Sequence, residues 1–171
     1  MSDADAKKLD RFEIRTAAPG DVPHVLELVR ELAVYERLSH LVECSEQRLH
    51  EALFGAQAGV EALLASSRGG EVAGFALYFH NYSTFLGRRG LYLEDLYVRP
   101  AFRRRGCGKA LPTRLARVAC ERGCGRFEWT VLDWNVAAQR FYQELGASVL
   151  PDWRIVRLTG EPLARLAAMD R

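Results

Sequence analysis

The run Leu91-Tyr92-Leu93-Glu94-Asp95-Leu96-Tyr97-Val98 constrains the fold more than any other stretch of the chain. Its leucines, tyrosines and valine favour a long strand. Arg99-Pro100 closes it, because proline cannot donate to a ladder. A basic loop containing glycines follows from Ala101 to Gly108, and Leu111, Leu115, Val118 and Ala119 then recur at helical spacing. Strand, loop and helix in that order belong to an α/β architecture.

The flanking sequence extends the pattern. Phe12 to Thr16 alternates as a short strand, and Pro19-Gly20-Asp21 turns the chain. Asp21 suits an N-cap and Pro23 a first helical turn. Val22 to Glu36 is therefore an amphipathic helix, with Val22, Val25, Leu26, Val29, Leu32 and Ala33 at its spacing. A looser helix runs from Ser45 to Phe54 and stops at Gly55. Val60 to Ala65 and Val72 to Phe79 make a hairpin about Ser67-Arg68-Gly69-Gly70, while Asn81 to Gly90 reads as a loop. Pro112 is tolerated only in the first turn of the helix after the basic loop. Further on come a strand at Phe127 to Leu132 and a helix over Ala138 to Leu145, ended by Gly146. A last strand at Trp153 to Leu158 and a short helix at Pro162 to Met169 complete the order.

The chain has 171 residues, 49% apolar and 27% charged, which suits one packed domain. Residues 12–171 are expected to form it, behind a flexible leader from Met1 to Arg11 that lacks the apolar run of a secretory signal. No stretch approaches the ~20 apolar residues that span a bilayer. A formal net charge of +2 gives no global attraction to nucleic acid or to an anionic membrane. Cys44, Cys107, Cys120 and Cys124 form no Cys-x-x-Cys pair, and the four histidines show no ligand spacing, so neither a disulfide framework nor a metal is expected. A reducing, cytoplasmic setting follows.

The strongest chemical signal is Arg103-Arg104-Arg105-Gly106-Cys107-Gly108-Lys109. A helix N-terminus presents free N–H groups and partial positive charge, and glycines let backbone approach an anion. That suits a phosphate; the plainer alternative is a solvated basic loop. It is not a Walker loop, because Ala110 follows Gly108-Lys109 and Arg103 stands where the first glycine belongs. Nor is it a dinucleotide fingerprint, because Leu111 replaces the third glycine.

Arg103-x-x-Gly106-x-Gly108, after the Leu91 to Val98 strand, resembles the acetyl-CoA pyrophosphate loop of the Gcn5-related N-acetyltransferase superfamily. The likeness runs from about Phe12 to Leu166. It is closer to the diamine and thialysine branch through Glu31 to Glu36, Tyr82 to Phe85, Val131 to Asn135 and Phe141-Tyr142. The resemblance implies a mixed α/β sheet of about six to seven strands, with four to five helices on both faces and the fourth and fifth strands splayed. It implies acetyl-CoA as cosubstrate, a small-molecule amine as acceptor and a homodimer.

It also implies roles for residues. Leu96, Tyr97 and Val98 would offer strand backbone to pantetheine, and Arg103, Arg104, Arg105, Gly106, Cys107, Gly108 and Lys109 would hold the pyrophosphate. Asn135 would face the pantetheine arm. Glu94 would take a proton from the incoming ammonium and Tyr142 would protonate the departing thiolate. Tyr35, Glu36, Ser83, Phe85 and Asp95 would line the acceptor site. Without the resemblance, Glu94 or Asp95 could serve as an edge charge, Tyr142 as packing and Glu36 as a solvated helix end. Ser83 stands where polyamine-type members carry an acid, and Phe85 where they carry tryptophan, which favours a short lysine-like amine. A protein lysine or N-terminal acetyltransferase is the alternative enzyme, and a non-catalytic acyl-CoA-binding module the alternative class. One short arginine run without a basic face is insufficient for nucleic acid.

Overall fold

The computed structural model describes residues 12–170, so the leader from Met1 to Arg11 lies outside the described residues. The described chain falls into two compact units, divided between Thr130 and Val131.

The first unit is built on a sheet of five strands: β1 (Phe12–Thr16), β2 (Glu61–Ser67), β3 (Val72–Ser83), β4 (Arg88–Val98) and β5 (Phe127–Trp129). They lie side by side in chain order. The first four are antiparallel, and β5 joins β4 in parallel. Helices α1 (Val22–Glu36) and α2 (Glu46–Phe54) cover one face, where Leu26, Leu28 and Leu49 pack with Leu64, Phe75 and Tyr97. Helix α3 (Cys107–Glu121) covers the other, where Leu111 and Leu115 pack with Leu63, Tyr78, Leu91 and Leu93. Residues of alternate parity on each strand serve the two layers.

Local chemistry explains most boundaries. Ser45 caps α2, its hydroxyl accepting from the Arg48 N–H at 3.2 Å. Asp21 does not cap α1 as expected. Its carboxylate is taken by Arg15 of β1 in a two-point contact of 2.6 and 2.8 Å, and it also accepts from the Ala18 N–H. The guanidinium holds the Asp21 carboxyl at about 2. Pro112 stands in the second turn of α3, not the first. The helix begins already at Cys107, so proline leaves the Gly108 carbonyl without its usual N–H partner.

Two stretches differ from expectation. The polar residues of Asn81 to Gly90 are mostly ladder, paired from Asn81↔Gly90 to Ser83↔Arg88, with only the turn between them unpaired. Polar side chains do not prevent pairing where one face of a hairpin meets water. Trp153 to Leu158 carries no strand, leaving five strands among the described residues where six to seven were expected. Ile155 and Val156 are adjacent apolar residues and both are exposed, so the run has no single apolar face that would set a strand in register.

The second unit, Val131–Arg171, holds α4 (Val136–Glu144) and α5 (Gly160–Ala167). Helix α4 ends as expected at Gly146, whose φ of 93° lets the Gly146 and Ala147 N–H groups close on Gln143 and Tyr142. No described helix is long and apolar enough to cross a membrane.

Gly74 of β3 faces Val98 of β4, and a Cβ there would lie 2.4 Å from the Tyr97 carbonyl oxygen. Gly74→Ala must push β4 aside. Urea unfolding should show a loss of about 2–3 kcal/mol with little change in slope.

Candidate active site

The site begins with an irregularity in β4. Leu93 pairs with Tyr78 and Asp95 with Leu77, so Glu94 has no residue opposite it. This bulge reverses the sense of the strand. Before it, Leu91 and Leu93 face the α3 layer; after it, Leu96 and Val98 take that side and Tyr97 faces α1. Asp95, two residues from Tyr97, is thereby turned toward the α1 layer, and Glu94 stays exposed.

At the same position β4 loses its neighbour. The ladder to β5 has its last pair at Leu93↔Trp129, while β4 continues to Val98. The Arg99 N–H donates to Ala73 on the β3 side at 2.9 Å. Alternation then turns the backbone groups of Val98 and Leu96 toward the opposite edge, beyond the end of the β5 ladder. The Val98 carbonyl accepts there from Arg103 Nε at 2.9 Å. β5 itself ends at Trp129, so β4 runs on past the end of its neighbour.

Helix α1 supplies the third wall. Arg99, at the end of β4, clasps Glu31 through three bonds of 2.7 to 3.2 Å and reaches Glu27 at 2.8 Å. A planar guanidinium fixes both distance and angle. The helix stops at Arg37, which has a left-handed φ of 62° and sends its N–H back to Ala33 and Val34. Glu36 is thereby brought beside Asp95. Burial raises the Asp95 carboxyl to about 6, with the nearby Glu94 and Glu36 charges adding to the effect. Burial also raises Glu36. Three acids from two elements therefore share one anionic corner.

The basic loop stands beside it. Arg104 (φ 59°) and Gly106 (φ 102°) are both left-handed, and they curl the chain into the start of α3. Gly106 is the N-cap and has no side chain to occupy the first N–H groups. Those of Cys107 and Gly108 belong to the first turn and can face an anion. Cys107 itself is fully buried and its thiol is pushed up to about 12 by burial, so it spaces the backbone and is no nucleophile. Arg103 departs from the simple picture. Its guanidinium lies 4.9 Å from the centre of the Tyr35 ring and 5.6 Å from that of Tyr97, at the meeting of α1 and β4. Arg105 turns back to the Ala101 carbonyl and the Phe102 ring.

Other expected residues lie elsewhere. Ser83 is buried at the β3–β4 turn, its hydroxyl accepting from the Leu86 N–H at 3.2 Å, and Phe85 at that tip is fully exposed. Ser83 is six residues along β3 from Leu77, the partner of Asp95. That is about 20 Å at the rise of a strand. Within one chain the structure does not bring Ser83 and Phe85 to the acid corner. In the second unit, Asn135 caps α4, its side-chain oxygen accepting from the Ala138 N–H at 3.2 Å. Tyr142, on the same helix, is half-buried and packs on Phe141 at 5.3 Å. One residue without any motif lies within electrostatic reach of Asp95: Cys44, whose thiol is raised mainly by burial and also feels Arg48 and Arg30. Among the described residues no set of three His, Cys, Asp or Glu is placed to hold a metal.

The description of the acetyltransferase (GNAT) family matches residues 25–147. The chain is 37% identical to an L-ornithine N5-acetyltransferase of Arabidopsis thaliana, over 92% of this chain and 88% of that one. It is 41% identical to a thialysine N-epsilon-acetyltransferase of Bos taurus, over 90% of this chain and 96% of that one. A solved integron cassette protein from the mobile metagenome of V. cholerae superposes with a TM-score of 0.77 at 28% identity, covering 92% and 98% of the two chains. The strand that parts from its neighbour, the glycine-led helix start and these likenesses agree: the chain belongs to the GNAT family of acetyltransferases and is an acetyl-transferring enzyme.

Proposed function

We propose that this enzyme transfers acetyl from acetyl-CoA to the primary amine of a small lysine-like or diamine acceptor, within a ternary complex. The observation that carries this reading is the anionic corner of Glu36, Glu94 and Asp95 beside the open edge of β4. A primary amine has a pKa of about 10.4 and arrives as an ammonium. Carboxylates both attract it and remove its proton.

Acetyl-CoA supplies the acetyl thioester. The residues that would hold it fit: the Leu96 to Val98 edge can pair with the pantetheine amides as an added strand. Between Gly106 and Lys109, the Cys107 and Gly108 N–H groups at the start of α3 can cradle the pyrophosphate, while the Lys109 N–H donates to the Gly106 carbonyl at 3.1 Å. Arg103, Arg104 and Arg105 surround that loop with positive charge, and Asn135 borders the pantetheine arm. Asp95 and Glu36 hold the ammonium, with Tyr35 beside them. Glu94, exposed on the bulge, accepts the amine proton directly or through water. Tyr142 donates its phenolic proton to the leaving sulfur. The named activities of the Arabidopsis and Bos taurus relatives support an amino-acid side-chain amine as acceptor. The family likeness supports a homodimer in the cytoplasm, with residues 12–171 as one catalytic domain.

Steady-state assays with acetyl-CoA should give a higher kcat/KM for thialysine than for spermidine, by about tenfold, the worth of one charge-assisted hydrogen bond. A better rate with spermidine would return the enzyme to the polyamine class. Gly106→Val places a branched residue at φ 102°. It should raise the acetyl-CoA KM at least about tenfold; unchanged affinity in a folded variant would remove the loop from the cosubstrate site.

The acid corner has a pH signature. Asp95 is neutral below about 6 and charged above it. The amine KM should therefore fall as pH rises through about 6, and Asp95→Asn should erase that inflection. Because the folded protein holds this proton more tightly than the unfolded chain, Asp95 destabilises the fold progressively as pH rises toward 6 and fully above it. Asp95→Asn should then gain on the order of 2 kcal/mol in denaturant unfolding at pH 8 and little at pH 4. Tyr142→Phe removes only the phenolic proton. It should lower kcat by about tenfold or more with acetyl-CoA affinity kept; full turnover would make the residue a packing group.

A further inference from the structure

We propose that Arg103 is a positioning residue for the acceptor: its guanidinium joins the last turn of α1 to the end of β4, and the amine-binding wall keeps its place through that joint. This rests on the acetyl-transfer reading above. It gives the first arginine of the basic loop a task other than holding pyrophosphate.

The contacts of Arg103 point back along the chain. Its main chain leaves the short turn Pro100–Phe102, where the Arg103 N–H donates to the Pro100 carbonyl at 3.2 Å. The side chain then returns over β4, and Nε donates to the Val98 carbonyl at 2.9 Å. A guanidinium is planar, so this bond limits the directions that its face can take. That face meets two rings, with Tyr35 at 4.9 Å and Tyr97 at 5.6 Å from the ring centres. Both distances lie within the ~6 Å over which an aromatic face attracts a cation. Tyr97 is buried in the α1 layer, and Tyr35 belongs to the last turn of α1. One side chain of the loop therefore bridges a helix and a strand.

The last turn of α1 needs such a tie. The helix packs on the sheet through Val25, Leu26, Leu28 and Leu32, and its last buried residue is Ala33. Val34 is 67% exposed and Tyr35 is 39% exposed. Beyond Ala33, burial of apolar surface does little to fix the direction of the chain. Arg99 clasps the helix earlier, at Glu27 and Glu31. Arg103 holds it at Tyr35, the residue before Glu36. A reacting amine must be placed closely, so a wall that drifts costs binding of the amine before it costs binding of the cosubstrate.

The test uses the full chain, with acetyl-CoA saturating and the best acceptor among thialysine, ornithine and putrescine. Arg103→Met should raise the amine KM about three- to tenfold, the worth of one cation–π joint, and change kcat less. Calorimetry with CoA alone should show a smaller change in affinity than that. The ring identifies the joint. In a Tyr35→Phe background, which keeps the aromatic face, Arg103→Met should cost as much as in the wild type; in a Tyr35→Leu background it should cost little. Arg103→Lys, a point charge without the planar face, should retain part of the wild-type KM. Arg103 and Tyr35 are both exposed, so these variants leave the core untouched. A wild-type amine KM in Arg103→Met, or a CoA affinity that falls by more than the amine KM rises, overturns the assignment and returns Arg103 to the phosphate loop, while acetyl transfer stands. An equal cost of Arg103→Met in the Phe and Leu backgrounds overturns it as well. No turnover of any of the three amines by the wild type overturns the acetyl-transfer reading, and this inference with it.

Discussion

One unpaired residue, Glu94, sets the geometry on which the site depends. A regular β4 would send Asp95 to the α3 side with Leu91 and Leu93. The bulge reverses the strand after Leu93, and Asp95 comes within electrostatic reach of Glu36 instead. The β5 ladder ends at the same point. One irregularity thus places a carboxylate on one face, next to a stretch of β4 edge that β5 does not pair and where the Val98 carbonyl accepts from Arg103. Bulges concentrate beside active sites because they re-aim a side chain without changing the fold.

The acid corner persists because other contacts hold it. Three carboxylates repel one another, and burial makes the Asp95 and Glu36 charges harder to keep. Arg99 fixes α1 over the end of β4 through Glu27 and Glu31, on the helix that ends at Glu36. Arg103 joins the loop to the same corner through Tyr35 and Tyr97. The basic loop and helix α1 are therefore in contact through the Arg103 guanidinium. On the function proposed above, an arriving ammonium would relieve the repulsion left over.

Much of this was legible in the residues. The bounds of α1 followed from its apolar spacing, the start of α2 from Ser45, and the turn into α3 from Gly106 and Gly108. These are local signals, and local rules decide them. The bulge was legible only through the family resemblance, since simple alternation sets Glu94 and Asp95 on opposite faces and nothing nearby marks an extra residue. Asp21 looked like a cap because its competitor, Arg15, lies on another element. Asn81 to Gly90 looked like a loop because polarity was read as absence of pairing. Cys44 carries no motif, and only the fold brings it within reach of Asp95. Trp153 to Leu158 is rich in apolar residues, but a strand also needs a partner, which composition does not supply.

The topology orders the assembly of these parts in time. Strands β2, β3 and β4 are joined by short turns, so their pairing closes small loops. The parallel pair of β4 and β5 must wait for α3, because Leu91 meets Phe127 across the whole intervening helix. Pairings distant in sequence form late, since the entropy of closing the larger loop comes before any contact compensates it. The Asp95↔Leu77 pairing belongs to the early hairpin, and the edge of β4 beyond Leu93 borders the later and shortest ladder. Amide exchange will accordingly run fastest where β5 leaves β4, and the acid corner will be the more rigid half of the site. On the function proposed above, a cosubstrate seated along that edge would act as a missing strand and tie down a segment that folds late.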